Sequence, residues 1–158
     1  MSDEKKISVV LLGAAAVGKS MLTLRYMRDK FKEGYEPTIE DKYPKNVTIN
    51  NTSYLVEIID TAGDEGFINY LENWIAQGNA FLLCFSLTDE DSFKEKVVGY
   101  YNRIAANVGT KLKYLPITLV GTKCDLENER IITYEEAKDL ANEWGVNYFE
   151  TSAKVGLE

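Results

Sequence analysis

The stretch Ile7–Ser20 reads ISVVLLGAAAVGKS, and it spaces two glycines, a lysine and a serine so that they can bind phosphate. Gly13-x-x-x-x-Gly18-Lys19-Ser20 matches the Walker A pattern, and it lies between a predicted strand and a predicted helix. Glycines let backbone N–H groups converge on a phosphate, and the helix N-terminus adds partial positive charge. Lys19 is predicted to bridge the terminal phosphates, and the Ser20 hydroxyl to ligate Mg²⁺. The motif alone indicates NTP binding and does not select the base.

The segments around this motif are assigned from their hydrophobic periodicity. Apolar runs rich in β-branched residues alternate with longer segments of helical spacing, such as KSMLTLRYMRDKF, DSFKEKVVGYYNRIAANV and TYEEAKDLANEWG. Strands that are apolar on both sides and alternate with helices indicate a parallel sheet covered on two faces. At the start of the last helical segment, Thr133 followed by Glu136 fits a capping box.

One connection departs from this alternation. The segment YPKNVTINNTSYLVEII shows period-two patterning on both sides of Asn50-Asn51, a pair that tolerates positive φ in a tight turn. We therefore expect a hairpin that adds an antiparallel strand at the sheet edge. The sequence predicts an α/β fold of the three-layer P-loop NTPase type, with a mostly parallel six-stranded sheet, one antiparallel edge strand and helices on both faces.

Length and composition narrow the function classes. A chain of 158 residues fits a single domain, 1–158, and its net charge of −7 argues against a nucleic-acid surface, which needs clustered lysine and arginine. No apolar run approaches the roughly 18 residues of a membrane span, and no signal-peptide apolar region is present, so an intracellular protein is expected. The absence of histidine excludes His-based triads and the usual His-ligated zinc sites. Cys84 and Cys124 lack metal-ligand spacing and are expected to be reduced thiols.

Three further stretches follow predicted strands: DTAG at Asp60–Gly63, GTKCD at Gly121–Asp125 and TSAK at Thr151–Lys154. All fall at the carboxyl ends of strands, where open α/β sheets bind ligands. In this order and spacing, together with the phosphate loop, they resemble the small GTPases of the Ras superfamily over nearly the whole chain. The stretch YEPTIEDKY, Tyr35–Tyr43, is similar to the Ras effector loop, whereas Thr122, in place of the family's usual Asn, resembles the Rho branch.

The resemblance implies recognition of guanine. Asp125 would accept from the N1–H and the exocyclic amine of the base, a pairing that adenine cannot make. Lys123 would lay its stem along the base, the Ala153 N–H would read the guanine carbonyl, and Phe31 would pack edge-on to the ring. The nucleotide-binding residues that the resemblance implies are Gly13, Ala14, Ala15, Ala16, Val17, Gly18, Lys19, Ser20, Met21, Phe31, Tyr35, Pro37, Thr38, Gly63, Thr122, Lys123, Asp125, Leu126, Ser152, Ala153 and Lys154.

The resemblance also implies a switch that hydrolyses GTP to GDP. Thr38 would give its hydroxyl to Mg²⁺ and its N–H to the γ-phosphate, Asp60 would hold a metal-bound water, and the Gly63 N–H would contact the γ-phosphate. Loss of that phosphate would release both loops. The catalytic set implied is Lys19, Thr38, Gly63 and Asp64, and the partners implied are exchange factors, GTPase-activating proteins (GAPs) and Ras-binding-type effectors.

The sequence departs from the family pattern at two places in the reaction centre. Asp64 stands where Ras proteins place the glutamine that orients the attacking water; its shorter carboxylate has no N–H donor and repels the developing negative charge. Ala15 and Ala16 stand where Ras has two glycines, and the Cβ of Ala15 occupies space needed by a GAP's arginine finger. We therefore expect slow turnover and a bias toward the GTP form, with Glu65 as an alternative water-orienting residue. The alternative is that these departures are branch-specific variation without an effect on turnover.

Two other function classes stay open at this point. The first is a GTP-locked binding or adaptor module with little or no turnover, which Asp64 favours and the intact Lys19, Ser20 and Thr38 oppose. The second is a nucleotide or small-molecule kinase, which would need an Arg-bearing lid and an acceptor pocket.

The edge strand and the C-terminal end carry the remaining expectations. A partner could add a strand beside the effector sequence, where Glu40 and Asp41 would face basic residues, and Pro44 would either end that ladder or protect the edge from aggregation. The family adds a long helix after TSAK, whereas this sequence stops at residues 155–158, which would leave apolar sheet surface uncovered. We expect a fragment of a longer chain; the alternative is an oligomeric contact that covers this face. A location on the cytoplasmic side is expected, and membrane anchoring is not decided by these residues, because the family carries it on a C-terminal tail outside this sequence.

Overall fold

The computed structural model describes residues 5–28, 40–63 and 69–154. Six strands are present in this part of the chain: β1 Lys5–Gly13, β2 Glu40–Ile49, β3 Thr52–Thr61, β4 Ala80–Ser86, β5 Ile117–Thr122 and β6 Asn147–Glu150. The α-helices are α1 Lys19–Arg28, α2 Leu71–Gln77, α3 Val98–Val108 and α4 Tyr134–Trp144. A π-helical stretch Ser92–Val97 precedes α3, and 3₁₀ turns cover Gly109–Tyr114 and Glu127–Glu129.

The strands form one six-stranded sheet in the order β2-β3-β1-β4-β5-β6. β2 pairs antiparallel with β3, and the other four pairings are parallel. The predicted α/β fold with a single antiparallel edge strand is therefore confirmed. Because the parallel strands share one direction, the loops after β1, β3, β5 and β6 emerge at the same edge of the sheet.

The β2–β3 hairpin turns at the asparagine pair identified in the sequence. Asn50 and Asn51 have φ values of 50° and 64°, and the flanking residues Ile49 and Thr52 are paired in the ladder. A two-residue turn with positive φ at both central positions matches the right-handed twist of the strands that it joins. Pro44 lies opposite Glu57 in this edge strand, which is where a sheet accepts proline.

Side-chain alternation along the strands places apolar clusters on both faces of the sheet. On one face, β1 and β4 contribute Val10, Leu12, Leu83 and Phe85, which pack with residues of α2, α3 and α4. On the other face, a smaller cluster of Ala14, Val17, Cys84 and Val120 packs against Leu22 of α1. The register extends this second face to Val9, Leu82 and Thr118, which are half-buried, and to Phe149, which is 55% exposed.

Helix ends follow local side-chain chemistry. The Thr133 Oγ1 accepts a hydrogen bond from the Glu136 N–H at 3.1 Å, which confirms the predicted cap of α4. The helical stretch before α3 begins after Asp89, whose Oδ1 accepts from the N–H groups of Asp91 and Ser92 at 3.1 and 3.3 Å. The periodicity of the sequence did not predict that this stretch opens with a π-helical segment, nor did it predict the seven-residue helix α2.

Replacement of two glycines, one within α3 and one at the end of α4, by alanine should change the free energy of unfolding in opposite directions. Gly99 lies in α3 and a Cβ there meets nothing within 4 Å, so Gly99→Ala should raise the free energy of unfolding by roughly 0.5–1 kcal/mol. Gly145 ends α4 in the left-handed region with φ 71°, so Gly145→Ala should lower it by about 1–2 kcal/mol. Urea unfolding followed by circular dichroism measures both, and changes of the same sign would contradict this account of α3 and α4.

Candidate functional site

A cavity of about 390 Å³ lies where the loops after β1, β3, β5 and β6 meet. Most of the site residues implied by the sequence line it: Ala15, Ala16, Val17, Gly18, Lys19, Ser20, Met21, Gly63, Thr122, Lys123, Asp125, Leu126, Ser152, Ala153 and Lys154. The expected contacts Phe31, Tyr35, Pro37 and Thr38 lie outside the described residues, as do Asp64 and Glu65. The cavity also includes four residues that the sequence reasoning missed, namely Leu22, Thr61, Ala62 and Thr151. Three of these, Thr61, Ala62 and Thr151, lie within the DTAG and TSAK stretches, so the sequence motifs could have identified them.

The phosphate loop wraps around the side chain of Lys19. The Lys19 Nζ donates to the carbonyl oxygens of Gly13 and Ala14, each at 2.9 Å, and the side chain is only 5% exposed. Burial lowers the pKa of Lys19, and the nearby negative charge of Asp60 opposes that shift. An anion bound in the loop would further favour the charged ammonium form.

Close backbone approaches explain the glycines on either side of the cavity floor. A Cβ on Gly13 would lie 2.3 Å from the Cys84 carbonyl oxygen, and one on Gly63 would lie 2.2 Å from the Ala14 carbonyl carbon. The same Cβ on Gly63 would lie 2.3 Å from the Ala15 nitrogen. The end of DTAG therefore rests directly on the phosphate loop, and neither position has room for a side chain.

The residues suited to a metal ion meet at the first turn of α1. The Ser20 Oγ donates to the Asp60 Oδ2 at 2.5 Å, and Asp60 is 0% exposed at the end of β3. A hydroxyl and a carboxylate are hard oxygen donors of the kind that Mg²⁺ prefers. The donor set therefore fits the expected cation, although the third expected ligand, Thr38, lies outside the described residues.

At the other end of the cavity, TKCD is joined to the phosphate loop. The Thr122 Oγ1 lies 2.5 Å from the Val17 carbonyl oxygen and 3.0 Å from that of Phe85. Lys123 has φ 63°, and its Nζ donates to the Ala16 carbonyl oxygen at 3.0 Å. The lysine side chain therefore extends from the end of β5 to the phosphate loop along the cavity wall.

TKCD and TSAK are joined to each other in the same region. The Ser152 Oγ donates to the Asp125 Oδ1 at 2.6 Å, and the Cys124 N–H donates to the Thr151 carbonyl oxygen at 3.1 Å. The serine hydroxyl fixes the orientation of the Asp125 carboxylate. This arrangement holds two carboxylate oxygens at the cavity wall, where they could accept from a pair of N–H donors.

The cavity combines a phosphate loop at the first strand–helix junction, the Ser20–Asp60 pair beside it and the Asp125 carboxylate at the far end. This combination defines a P-loop nucleotide-binding protein. The model of the Ras family matches residues 8–158 of the chain. The chain belongs to the Ras family of small GTPases, which are hydrolases that act as switches. The resemblance seen in the sequence is confirmed.

Ral-type proteins are among the most similar relatives. The chain is 42% identical over 147 residues to the Ras-related protein O-RAL of Diplobatis ommata and 41% identical over 147 residues to the Ras-related protein Ral-B of Rattus norvegicus. Each alignment covers 93% of this chain and 70% of the relative. Among the described residues, none of the helices has the length and apolar character needed to cross a membrane.

The alanines of the phosphate loop differ in backbone conformation, which gives a stability test. Ala16 has φ 63°, a left-handed value that costs a residue with a Cβ roughly 1–2 kcal/mol, whereas Ala15 is not in that region. Ala16→Gly should raise the free energy of unfolding by about 0.5–1 kcal/mol, because relief of strain exceeds the added chain entropy. Ala15→Gly, the matched control, should lower it by about 0.5–1 kcal/mol. Chemical denaturation at saturating GDP and Mg²⁺ measures both; equal shifts would contradict the assignment of strain to Ala16.

Proposed function

We propose that this chain is a Ras-like molecular switch that binds GTP and GDP with Mg²⁺, hydrolyses GTP slowly, and signals to effectors through its switch loops. The observation that supports this most is the convergence of three motifs in one cavity. Lys19 belongs to the phosphate loop and bonds within it, Lys123 of TKCD bonds to the phosphate loop, and Asp125 of TKCD accepts a hydrogen bond from Ser152 of TSAK.

The phosphate end of the cavity supports binding of a nucleoside di- or triphosphate. An ammonium group has three hydrogens, and Lys19 directs two of them to the carbonyl oxygens of Gly13 and Ala14. We assign the third to the terminal phosphates. Ser20, Thr38 and Asp60, the last through water, would hold Mg²⁺, which neutralises charge that develops on the transferred phosphoryl group.

The base end supports a preference for guanine. Ser152 orients the Asp125 carboxylate, whose two oxygens are matched to the N1–H and exocyclic amine of guanine. Adenine offers an acceptor where guanine offers the N1–H, so it would leave one Asp125 carboxylate oxygen without a donor. Lys123 would cover one face of the base, and the Ala153 N–H would donate to its carbonyl oxygen.

Slow turnover rests on Asp64 and Ala15. Gly63, which precedes Asp64 in the sequence, packs against the nitrogen of Ala15 in the phosphate loop. Asp64 brings an acceptor in place of the amide that would orient a water, and its charge opposes the developing phosphoryl charge. The Ala15 Cβ fills space that a GAP's arginine would enter.

Single-turnover hydrolysis tests this proposal. The protein is purified, its bound nucleotide is released and identified, and conversion of loaded GTP to GDP is followed with and without a Ras-type GAP. Asp64→Gln combined with Ala15→Gly should accelerate GAP-stimulated turnover by roughly 100-fold or more, since oriented water and an arginine finger supply factors of that order. Asp139→Gln, an exposed acidic position on α4, is the matched control and should leave the rate unchanged.

The outcomes separate the alternatives. A wild-type rate comparable to that of an ordinary Ras protein would contradict slow turnover. No conversion in the wild type or in the double variant would favour the GTP-locked binding module instead. If Glu65→Gln abolishes GTP hydrolysis, the residue that orients the attacking water is Glu65 and not Asp64.

Effector binding is proposed at the exposed edge of the sheet. Along β2, the side chains of Lys42, Pro44, Asn46 and Thr48 are exposed, and a partner with a ubiquitin-like Ras-binding fold could add a strand there. Calorimetry should show at least tenfold tighter binding of a Ras-binding domain to the GTP-analogue form than to the GDP form, a coupling of usual size for a two-state switch. Equal affinity would contradict an effector role.

Pro44 provides the matched variant for that measurement. If proline ends the intermolecular ladder, Pro44→Val should extend it and tighten the complex. If proline only protects the edge, the affinity should stay unchanged while the variant aggregates more readily.

A further inference from the structure

Outside the cavity, the loop that carries Asp125 and the strand that leads into TSAK are joined by an ion pair. The Arg130 Nη1 donates to the Glu150 Oε1 at 2.9 Å, and the Nη2 donates to the Oε2 at 2.5 Å. Two parallel N–H···O bonds form the bidentate geometry that gives an arginine–carboxylate pair directional strength. The side chains are 25% and 18% exposed, so the pair is largely shielded from solvent.

Both members of the pair are held by further hydrogen bonds. The Arg130 Nε donates to the Ile132 carbonyl oxygen at 2.7 Å, which closes the loop after the 3₁₀ turn Glu127–Glu129. The Tyr148 hydroxyl donates to the Glu150 Oε2 at 2.6 Å. We call this group of three side chains, Arg130, Tyr148 and Glu150, the outer clamp. Its donors and acceptors are matched, which leaves little freedom for either loop at this point.

The protonation states agree with this pattern. Burial raises the pKa of Glu150, but the hydrogen bonds from Arg130 and Tyr148 outweigh burial and hold that pKa below its usual value. Burial, together with the hydrogen bond to Glu150, raises the pKa of Tyr148. At neutral pH the clamp therefore combines a charged carboxylate with a phenol that keeps its proton.

The outer clamp is the third link between the same two loops. Nearer the cavity, Ser152 donates to Asp125 and the Cys124 N–H donates to the Thr151 carbonyl oxygen. Glu150 directly precedes Thr151, and Arg130 follows the turn that begins two residues after Asp125. A shift of the outer clamp would therefore be transmitted along a short length of backbone to Asp125 on one side and to Ser152 on the other.

Tyr148 also ties the clamp to the strand that carries TKCD. A Cβ on Gly121 would lie 2.7 Å from the Tyr148 hydroxyl oxygen, so the phenol packs directly over the β5 backbone. Gly121 immediately precedes Thr122, whose hydroxyl contacts the Val17 carbonyl oxygen. The phenol therefore contacts both the strand that leads into TSAK and the strand that leads into TKCD.

We propose that Arg130 and Glu150 are positioning residues that set how long guanine nucleotide stays bound and how strongly guanine is preferred over hypoxanthine. This inference rests on the proposed nucleotide-binding function. Asp125 discriminates between bases only if its carboxylate is held in one orientation, and the outer clamp fixes the two backbone segments that hold it. Removing one partner of a shielded ion pair leaves the other uncompensated, so the loops would separate or rearrange.

Nucleotide release measures the first effect. The wild-type chain is loaded with a fluorescent GDP analogue and Mg²⁺, and dissociation is followed after addition of excess unlabelled GDP. Glu150→Gln should accelerate release roughly tenfold, because hydrogen bonds to charged groups are among the stronger ones. Arg130→Lys keeps the positive charge but cannot form two parallel hydrogen bonds to Glu150, so its release rate should lie between those of the wild type and Glu150→Gln. Exchanging the two residues, Arg130→Glu with Glu150→Arg, should recover only part of the wild-type rate, because the ion pair is restored while the hydrogen bonds to Ile132 and from Tyr148 are lost.

A second ion pair supplies the control. Glu90→Gln removes the Lys94–Glu90 pair, which has a nitrogen–oxygen distance of 2.5 Å and side chains 56% and 54% exposed. An exposed pair contributes little, so the release rate of this variant should stay within about twofold of wild type. An equal acceleration in this control would overturn the assignment to the outer clamp.

Base selectivity distinguishes positioning from a structural role. Inosine diphosphate lacks the exocyclic amine and therefore offers Asp125 one donor instead of two. The ratio of inosine to guanosine diphosphate dissociation constants should fall at least threefold in Glu150→Gln, since weaker alignment reduces the benefit of the second donor. If both nucleotides weaken by the same factor, or if neither release rate changes, the proposal is overturned. Tyr148→Phe, which removes one hydrogen bond and keeps the ring, gives the same readout should Glu150→Gln fail to fold.

These outcomes also separate this inference from the proposed function. A wild-type chain that retains no guanine nucleotide would overturn both. A wild-type chain that retains it, with clamp variants that release it at the wild-type rate, would overturn only the role of the outer clamp.

Discussion

Lys19 holds a charged ammonium group where it is only 5% exposed, so neighbouring atoms must replace the water that it has lost. The carbonyl oxygens of Gly13 and Ala14 do this at 2.9 Å, and the path of the loop between β1 and α1 follows from that requirement. The loop can take this path because β1 and β4 approach closely at Gly13 and because β3 brings Gly63 against Ala14. The geometry of the phosphate end therefore depends on the parallel sheet as much as on the motif.

The base end depends on the same loop through long-range hydrogen bonds. Thr122 contacts the carbonyl oxygen of Val17 and Lys123 that of Ala16, across 105 and 107 residues of sequence. Ser152 then orients Asp125, and the outer clamp joins the backbone on either side of that contact. The phosphate and base ends are consequently parts of one hydrogen-bonded unit, which supports coupling between base recognition and nucleotide release.

Ala15 and Ala16 alter the phosphate loop but leave in place the polar side chains that line the cavity. Ala16 adopts φ 63°, a conformation in which glycine would be unstrained, and Ala15 presents an exposed Cβ beside Gly63. Lys19 keeps its hydrogen bond to Gly13, and Ser20 keeps its hydrogen bond to Asp60, in the regions where we propose that phosphate and Mg²⁺ bind. Two of the departures from the Ras pattern, Ala15 and Asp64, concern residues that we propose to affect hydrolysis, whereas Thr122 lies at the base end. Ala15 and Asp64 support the proposal of a switch with slow turnover.

The sequence by itself determined the features that local chemistry controls. Period-two and helical patterning gave the α/β fold, Asn50-Asn51 gave the hairpin turn, and Thr133 gave the start of α4, because each signal lies within a few neighbouring residues. Motif spacing also identified most residues of the cavity. Only the tertiary structure decided that α2 forms from seven residues and that a π-helical stretch precedes α3, since packing on the sheet overrides weak local preference. It alone revealed the outer clamp, because Arg130 and Glu150 lie on separate elements and meet only after β6 pairs with β5.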